Sequence, residues 1–194
     1  MEKNDLQLIA EILKNPEDNE VFNILVEKYI KIVYLFVFKL IKNQEDSEDI
    51  TQETFVKVWK NLKKYDPKHN FKTWLFSIAK NTAIDKTRKK RPISFSNLNT
   101  IINSNTKDND DSINIEDLII DTEPLQDEIF EKTENISRLK DSINNLDELS
   151  KLLIYLHIEE DQTFEEIAEI LNKPVNTVKS KYRRLIQKIK QNLT

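Results

Sequence analysis

Not one of the 194 residues of this chain is glycine. Left-handed backbone is costly for residues with a Cβ, and the tight two-residue turns of β-hairpins depend on glycine to reach it. A glycine-free chain is therefore steered away from antiparallel sheets and toward helices, whose ends can be closed by Asn or Pro. The five prolines do not oppose this reading. Cysteine is absent as well, which excludes disulfides and thiolate chemistry and fits a reducing compartment.

The apolar pattern agrees. Phe22, Leu25, Val26, Tyr29, Ile32, Val33 and Phe36 recur at three- and four-residue steps, the spacing of one helix face. A second stripe is Ile50, Phe55, Val58, Trp59 and Leu62, behind an acidic start suited to a helix N-terminus. "YDPKHN" breaks the pattern as a loop, and Phe71, Trp74, Leu75, Ile78 and Ile84 resume it until Pro92. Later segments expected to be helical are Glu128–Leu146, Leu149–His157, Thr163–Leu171 and Val175–Leu193. No strand-like alternation is visible. The most apolar run, Ile30–Ile41, is about 12 residues long and contains Lys31 and Lys39, so it reads as a core helix, too short and too charged for a bilayer. Met1–Lys14 lacks the basic and apolar blocks of a signal peptide. The expectation is a soluble, cytoplasmic protein without a membrane role.

Hydrophobic residues make up only 38% and charged residues 33%, which favours small helical units with wide solvated faces over one large core. The net charge of −4 hides a segregation. Six bases and one acid lie between Lys80 and Arg91, nine acids and one base between Lys107 and Glu128, and seven bases and no acid between Lys173 and Thr194. A polyanion would meet the two basic patches, not the total charge. The acidic, Asn- and Ser-rich middle reads as a flexible linker. The boundaries are 1–92, 93–127 for the linker, and 128–194.

Within the last segment, "TFEEIAEILNKPVNTVKSKYRRLIQKI" has the organisation of a helix-turn-helix. Thr163 and Glu166 form a capping-box pair. Asn172 stands where the turn needs left-handed backbone, Pro174 stops the first helix, and Asn176 or Thr177 is placed to cap the second. Phe164, Ile167, Ile170 and Leu171 face inward from the first helix, and Val178, Tyr182, Leu185 and Ile189 from the second. Asn176, Thr177, Lys179, Ser180, Lys181, Arg183 and Arg184 remain for the outward face, where a recognition helix meets base edges and phosphates. The competing reading is a solvated basic face on an ordinary helical hairpin.

The first half then carries a resemblance. Asp49, Gln52, Glu53 and Phe55 match "D-x-x-Q-E-x-F". Phe71, Trp74, Leu75, Ile78, Ala79, Asn81 and Asp85 match "F-x-x-W-L-x-x-I-A-x-N-x-x-x-D", followed by the basic run Arg88–Arg91. These motifs resemble region 2 of the extracytoplasmic-function (ECF) group of bacterial RNA polymerase sigma factors, and "EIAEIL" with "NTVKSKYRRL" resembles their region 4. The resemblance covers residues 18–92 and 130–192, in the family's order. It implies an all-α chain of two small helical domains, a region 2 bundle and a region 4 helix-turn-helix, joined by the linker.

By that resemblance Asp46, Asp49, Gln52 and Glu53 dock on the β′ clamp of core RNA polymerase, which binds through its β and β′ subunits. Lys68, His69, Asn70, Lys80, Asn81, Lys86, Arg88, Lys89 and Arg91 meet the −10 element of promoter DNA. The outward residues of the last helix meet the −35 element. An anti-sigma factor restrains many family members. No cofactor, metal or catalytic residue is implied. Trp59 and Trp74 fall on apolar stripes and are read as core. The linker reaches roughly 130 Å fully extended and averages about 35 Å as a coil, against roughly 70 Å for two turns of DNA. Where the family carries arginine the chain has Lys181, which keeps the charge and loses the bidentate fork. A stand-alone DNA-binding regulator is the main alternative. A nuclease would need clustered carboxylates or histidines, and the two histidines lie far apart in sequence.

Overall fold

The computed structural model describes residues 3–16, 19–90, 139 and 142–193. Helix α1 is Asp5–Lys14, α2 Asn19–Ile41, α3 Gln44–Asn61 with a 3₁₀ turn at Leu62–Lys64, and α4 Phe71–Lys90. After the undescribed middle come α5, Glu148–Ile154, a π turn at Tyr155–Glu159, α6, Phe164–Leu171, and α7, Val175–Leu193. Among the described residues no strand occurs. The linker and most of the expected helix Glu128–Leu146 lie outside them, as does Pro92.

Helix α1 is an addition to the sequence reading. Asn4 caps it: the Asn4 side chain accepts from the Gln7 amide at 2.9 Å, and the Gln7 side chain accepts from the Asn4 amide at 3.0 Å. Leu8, Ile9 and Ile12 are buried on its inner side. Helix α2 is about 34 Å long and forms the centre, touching α1, α3, α4 and α5. Phe36 meets Phe76 at 4.7 Å between ring centroids, Phe22 meets Trp59 at 4.7 Å, and Tyr29 meets Phe71 at 5.5 Å. Each buried aromatic or aliphatic side chain contributes about 1.5–3 kcal/mol. Trp59 and Trp74 are partly buried against this core, as their stripes predict.

The inner face of α3 is unusually polar. Ser47, Thr51 and Thr54 are buried, and each hydroxyl donates to the carbonyl four residues back, at 2.6–2.7 Å. The helix backbone itself thereby satisfies groups that would otherwise be costly to bury.

Turns without glycine put left-handed backbone on other residues. Lys42 joins α2 to α3 at φ 56°, Asp161 precedes α6 at φ 53°, and Asn172 follows it at φ 53°. Asn43 then caps α3, accepting from the Asp46 amide at 2.9 Å. The expected helix Leu149–His157 begins one residue earlier, capped by Asp147, and widens at Tyr155 into the π turn.

The two halves that the sequence separates are packed together. One continuous apolar cluster runs from Leu8 through Phe36 and Phe76 to Leu156, Ile170 and Val178. Helix α4 lies against α6, and α2 against α5. The Tyr155 hydroxyl donates to the Ile32 carbonyl at 2.9 Å, and Lys39 sits 4.8 Å above the Tyr155 ring. Burial lowers the Lys39 pKa and pushes that of Tyr155 well up.

Candidate nucleic-acid interface

The helix-turn-helix is built as its sequence predicts, with one exception. The Thr163 hydroxyl accepts from the Glu166 amide at 3.2 Å, and the Glu166 carboxylate accepts from the Thr163 amide at 2.8 Å. At the other end of α6, the Lys173 amide donates to the Ala168 carbonyl at 2.9 Å and the Asn172 amide to that of Glu169 at 3.1 Å. This is the Schellman pattern, with Asn172 in the position glycine usually takes. The exception is the start of α7. The helix begins at Val175, and the Pro174 carbonyl accepts from the Thr177 and Val178 amides. Asn176 and Thr177 therefore stand inside the first turn and are not its caps. Proline's fixed φ and missing N–H suit it to the entry of a helix.

Val178 and Leu185 are buried, while Tyr182 and Ile189 are half-buried. Tyr182 packs with His157 and Phe164 in an aromatic trio, with centroids 4.5–5.2 Å apart. These contacts set the rotation of α7 about its axis. Asn176, Thr177, Lys179, Ser180, Arg183 and Arg184 are consequently exposed together. Lys181 is half-buried and bonds the Asp147 carboxylate at 3.0 Å, so part of its charge is spent on the cap of α5. Lys179 pairs with Glu165 at 2.7 Å.

On the other half, Lys68, His69 and Asn70 are exposed in the loop before α4. The loop is held by its own polar groups: the Tyr65 hydroxyl donates to the His69 carbonyl at 2.6 Å, and the Lys72 amide donates to the Asn70 side chain at 2.9 Å. Asn81 is exposed, and Arg88 bonds Asp85 at 3.3 Å. Lys80 is half-buried, and burial, then the nearby Lys173, lowers its pKa. The side chain of Lys89 and all of Arg91 lie outside the described residues.

Asp49, Gln52 and Glu53 are exposed on α3, and Asp46 is half-buried. Lys86 reaches from α4 to the Asp49 carboxylate at 2.6 Å, and Lys57 bonds Glu53 at 3.0 Å. The candidate polymerase face and the candidate −10 face are thus joined by an ion pair. Sequence reasoning missed Val56. It is 50% exposed, three residues past Glu53 and four past Gln52, so it shares their face. It also missed Lys72, Thr73 and Ser77 of α4 and Glu160 and Gln162 opposite them. Thr73, Ser77 and Lys80 sit four and three residues apart, a polar line among the apolar residues of the first half of α4, and that spacing was the available signal.

Comparison with known proteins agrees with this geometry. Residues 25–93 match the Sigma-70 region 2 family, and residues 136–189 match the Sigma-70, region 4 family. The chain is 28% identical over 167 residues to the ECF RNA polymerase sigma factor SigW of Bacillus subtilis, covering 86% of each chain. It is 30% identical over 178 residues to the ECF RNA polymerase sigma-E factor of Haemophilus influenzae, covering 91% of this chain and 89% of that one. Among solved structures, CnrH in complex with the cytosolic domain of CnrY shares the fold, with TM-score 0.56, 20% identity, and coverage of 96% of this chain and 94% of that one. The sigma factor RpoE of Bartonella quintana, solved with the anti-sigma factor NepR, does so with TM-score 0.54, 19% identity, and coverage of 89% and 96%. With both sigma regions present in order and a relative at 30% identity aligned over nearly its whole length, the chain belongs to the ECF group of RNA polymerase sigma factors.

Proposed function

We propose that this chain acts in the cytoplasm, where residues 1–92 bind core RNA polymerase and the −10 element, residues 93–127 form the link, and residues 128–194 bind the −35 element. The observation that carries this assignment of parts is the orientation of α7. Buried Val178 and Leu185 fix one side, which leaves Lys179, Arg183 and Arg184 together on the other, behind a short turn closed by Asn172. Arg183 and Arg184 offer guanidinium forks to guanine edges or phosphates. Lys181 offers a single ammonium already shared with Asp147, so it serves as a phosphate contact more readily than as a base reader.

Core polymerase meets the Asp49, Gln52 and Glu53 face of α3 through its β′ subunit, with β completing the contact. The exposed loop Lys68–Asn70 and Asn81 serve the opened −10 strand, where unstacked bases are held individually. An anti-sigma factor, the partner with which the RpoE neighbour was solved, is included among the proposed partners on shared fold alone. No described helix is long and apolar enough to cross a membrane.

Transcription reconstituted from core polymerase and this chain tests the proposal. Start sites sharing two upstream elements about two DNA turns apart are the expected result. Tight duplex binding by the chain alone, with no initiation when core is added, would overturn it in favour of a stand-alone regulator.

A further inference from the structure

The contact between α4 and α6 is not an ordinary apolar helix crossing. On the α4 side stand hydrogen-bond donors. Lys72 bonds the Glu160 carboxylate at 2.7 Å and the Glu160 carbonyl at 3.1 Å. The Thr73 hydroxyl donates to the Gln162 side chain at 2.8 Å, and Gln162 in turn donates to the Glu160 carbonyl at 3.2 Å. Thr73, Glu160 and Gln162 are all buried, so these bonds are made away from water. Ser77 follows on the same face, and among the described residues its buried hydroxyl has no hydrogen-bond partner. Lys80 comes next, half-buried beside Lys173, with no carboxylate partner among the described residues.

On the opposite side stand acceptors. Glu159, Glu160, Asp161, Glu165 and Glu166 place five carboxylates within eight residues; Glu160 and Glu166 are the two that meet α4 and its preceding loop, while Glu165 pairs with Lys179. Burial works against the Glu166 carboxylate, and hydrogen bonds from Thr163, Asn70 and Thr73 outweigh it and leave its pKa below the ordinary range. A row of ammonium and hydroxyl donors, met here by the Glu160 and Glu166 carboxylates and the Gln162 amide oxygen, is the pattern a protein presents to a phosphate backbone. The match is incomplete where a contact evolved only for packing would be filled. An orphaned buried hydroxyl and a half-buried ammonium without a counter-charge both cost free energy.

The geometry also forbids simultaneous use of both promoter-reading elements. Packed helices lie 8–10 Å apart, whereas the two promoter elements are separated by roughly 70 Å. In this arrangement α6 covers the α4 face that begins at the −10 loop.

We propose that the acidic segment Glu159–Glu166 is a built-in stand-in for nucleic acid on the Lys72, Thr73, Ser77 and Lys80 face of α4, and that promoter strand and segment compete for that face. The proposal rests on the sigma reading for the location of the −10 surface. The segment belongs to the unit that reads the −35 element, so docking that unit elsewhere uncovers α4. Ser77 and Lys80 gain in nucleic acid the partners they lack in the closed chain.

The test is fluorescence anisotropy of the full chain with a labelled single-stranded DNA of about 15 nucleotides. A pair of cysteines introduced at exposed Asn23 and Gln187, in a chain with no other cysteine, reports the distance between the units. E160Q/E166Q is expected to bind the strand about tenfold more tightly and to lengthen the distance. E27Q/E45Q removes the same charge from exposed sites elsewhere and is expected to tighten binding by less than about twofold. Adding S77A/K80A to E160Q/E166Q is expected to abolish most of the gain while circular dichroism stays unchanged. Equal tightening in both double-Gln variants overturns the proposal, because general charge would then explain it. So does no tightening in E160Q/E166Q. If the distance has lengthened, the uncovered face does not bind nucleic acid; if it has not, the segment is not what covers it. Wild-type initiation with core polymerase, measured alongside, separates these failures from failure of the sigma reading.

Discussion

A chain without glycine spends its left-handed conformations on residues that tolerate them unequally. Asn172 is well suited, because its short polar side chain relieves part of the strain. Lys42 is not, and its ion pair with Glu148, at 3.0 Å between half-exposed side chains, offsets only part of that strain. Lys42→Gly is therefore expected to stabilise the protein by about 0.5–1 kcal/mol, the relief of left-handed strain less the added entropy of the unfolded chain. A higher urea midpoint at unchanged slope would confirm it, and a lower midpoint would refute it. Asp147 supplies a second test. Burial disfavours its charge, but hydrogen bonds from Ser150 and Lys181 outweigh that and hold its pKa below the ordinary 3.8. A depressed folded-state pKa gives stability that is present above the unfolded value and lost as pH falls through the folded one. From pH 5, above the unfolded pKa, down to pH 3, below it, D147N is expected to lose less stability than the wild type. Parallel loss in both proteins would contradict the assignment.

At the scale of the element, helix identity was largely legible because its signals are local. Thr163 with Glu166, Asn172 and the apolar stripes of α2 and α3 specify ends and faces through bonds spanning three to five residues. Helix α1 is equally local, in Asn4, Gln7 and the run of Leu8, Ile9 and Ile12. The π turn was not legible. Tyr155, at its start, bonds the Ile32 carbonyl, a partner 123 positions away. Helix α3 shows the same division. Its acidic face could be read from spacing, but the exposure of Val56 among Asp49, Gln52 and Glu53 depends on α2 and α4 leaving that side open. Apolar residues ringed by polar ones concentrate binding energy at interfaces. V56R is expected to weaken core polymerase binding at least tenfold with an unchanged melting temperature. Undiminished affinity would remove Val56 from the interface.

For the molecule as a whole, one core has a thermodynamic consequence. Units that share buried Tyr155, Leu156 and Phe36 should unfold together, in a single calorimetric transition. Y155F removes the hydrogen bond to Ile32 and leaves a buried carbonyl with one bond fewer, at a cost of about 1–2 kcal/mol. It is expected to lower the transition temperature and to separate the two units more readily. Two transitions in the wild type would show that the units are thermodynamically independent. The candidate site divides along the same line. Arg183, Arg184 and Asn81 stand exposed where spacing put them, because a helix face follows from periodicity alone. Lys181 was expected on the open face and is bonded to Asp147, and Lys80 is half-covered, because what covers a face depends on residues remote in sequence.

The chain's lack of glycine, its stripes and its caps were enough to determine helices, a helix-turn-helix and the exposed basic face of its last helix, since each arises from interactions within a few residues. Only the tertiary structure decided that Glu160 and Gln162 lie on Lys72 and Thr73. Contacts 88 and 89 positions apart depend on how two apolar faces pack, and no local spacing encodes that choice.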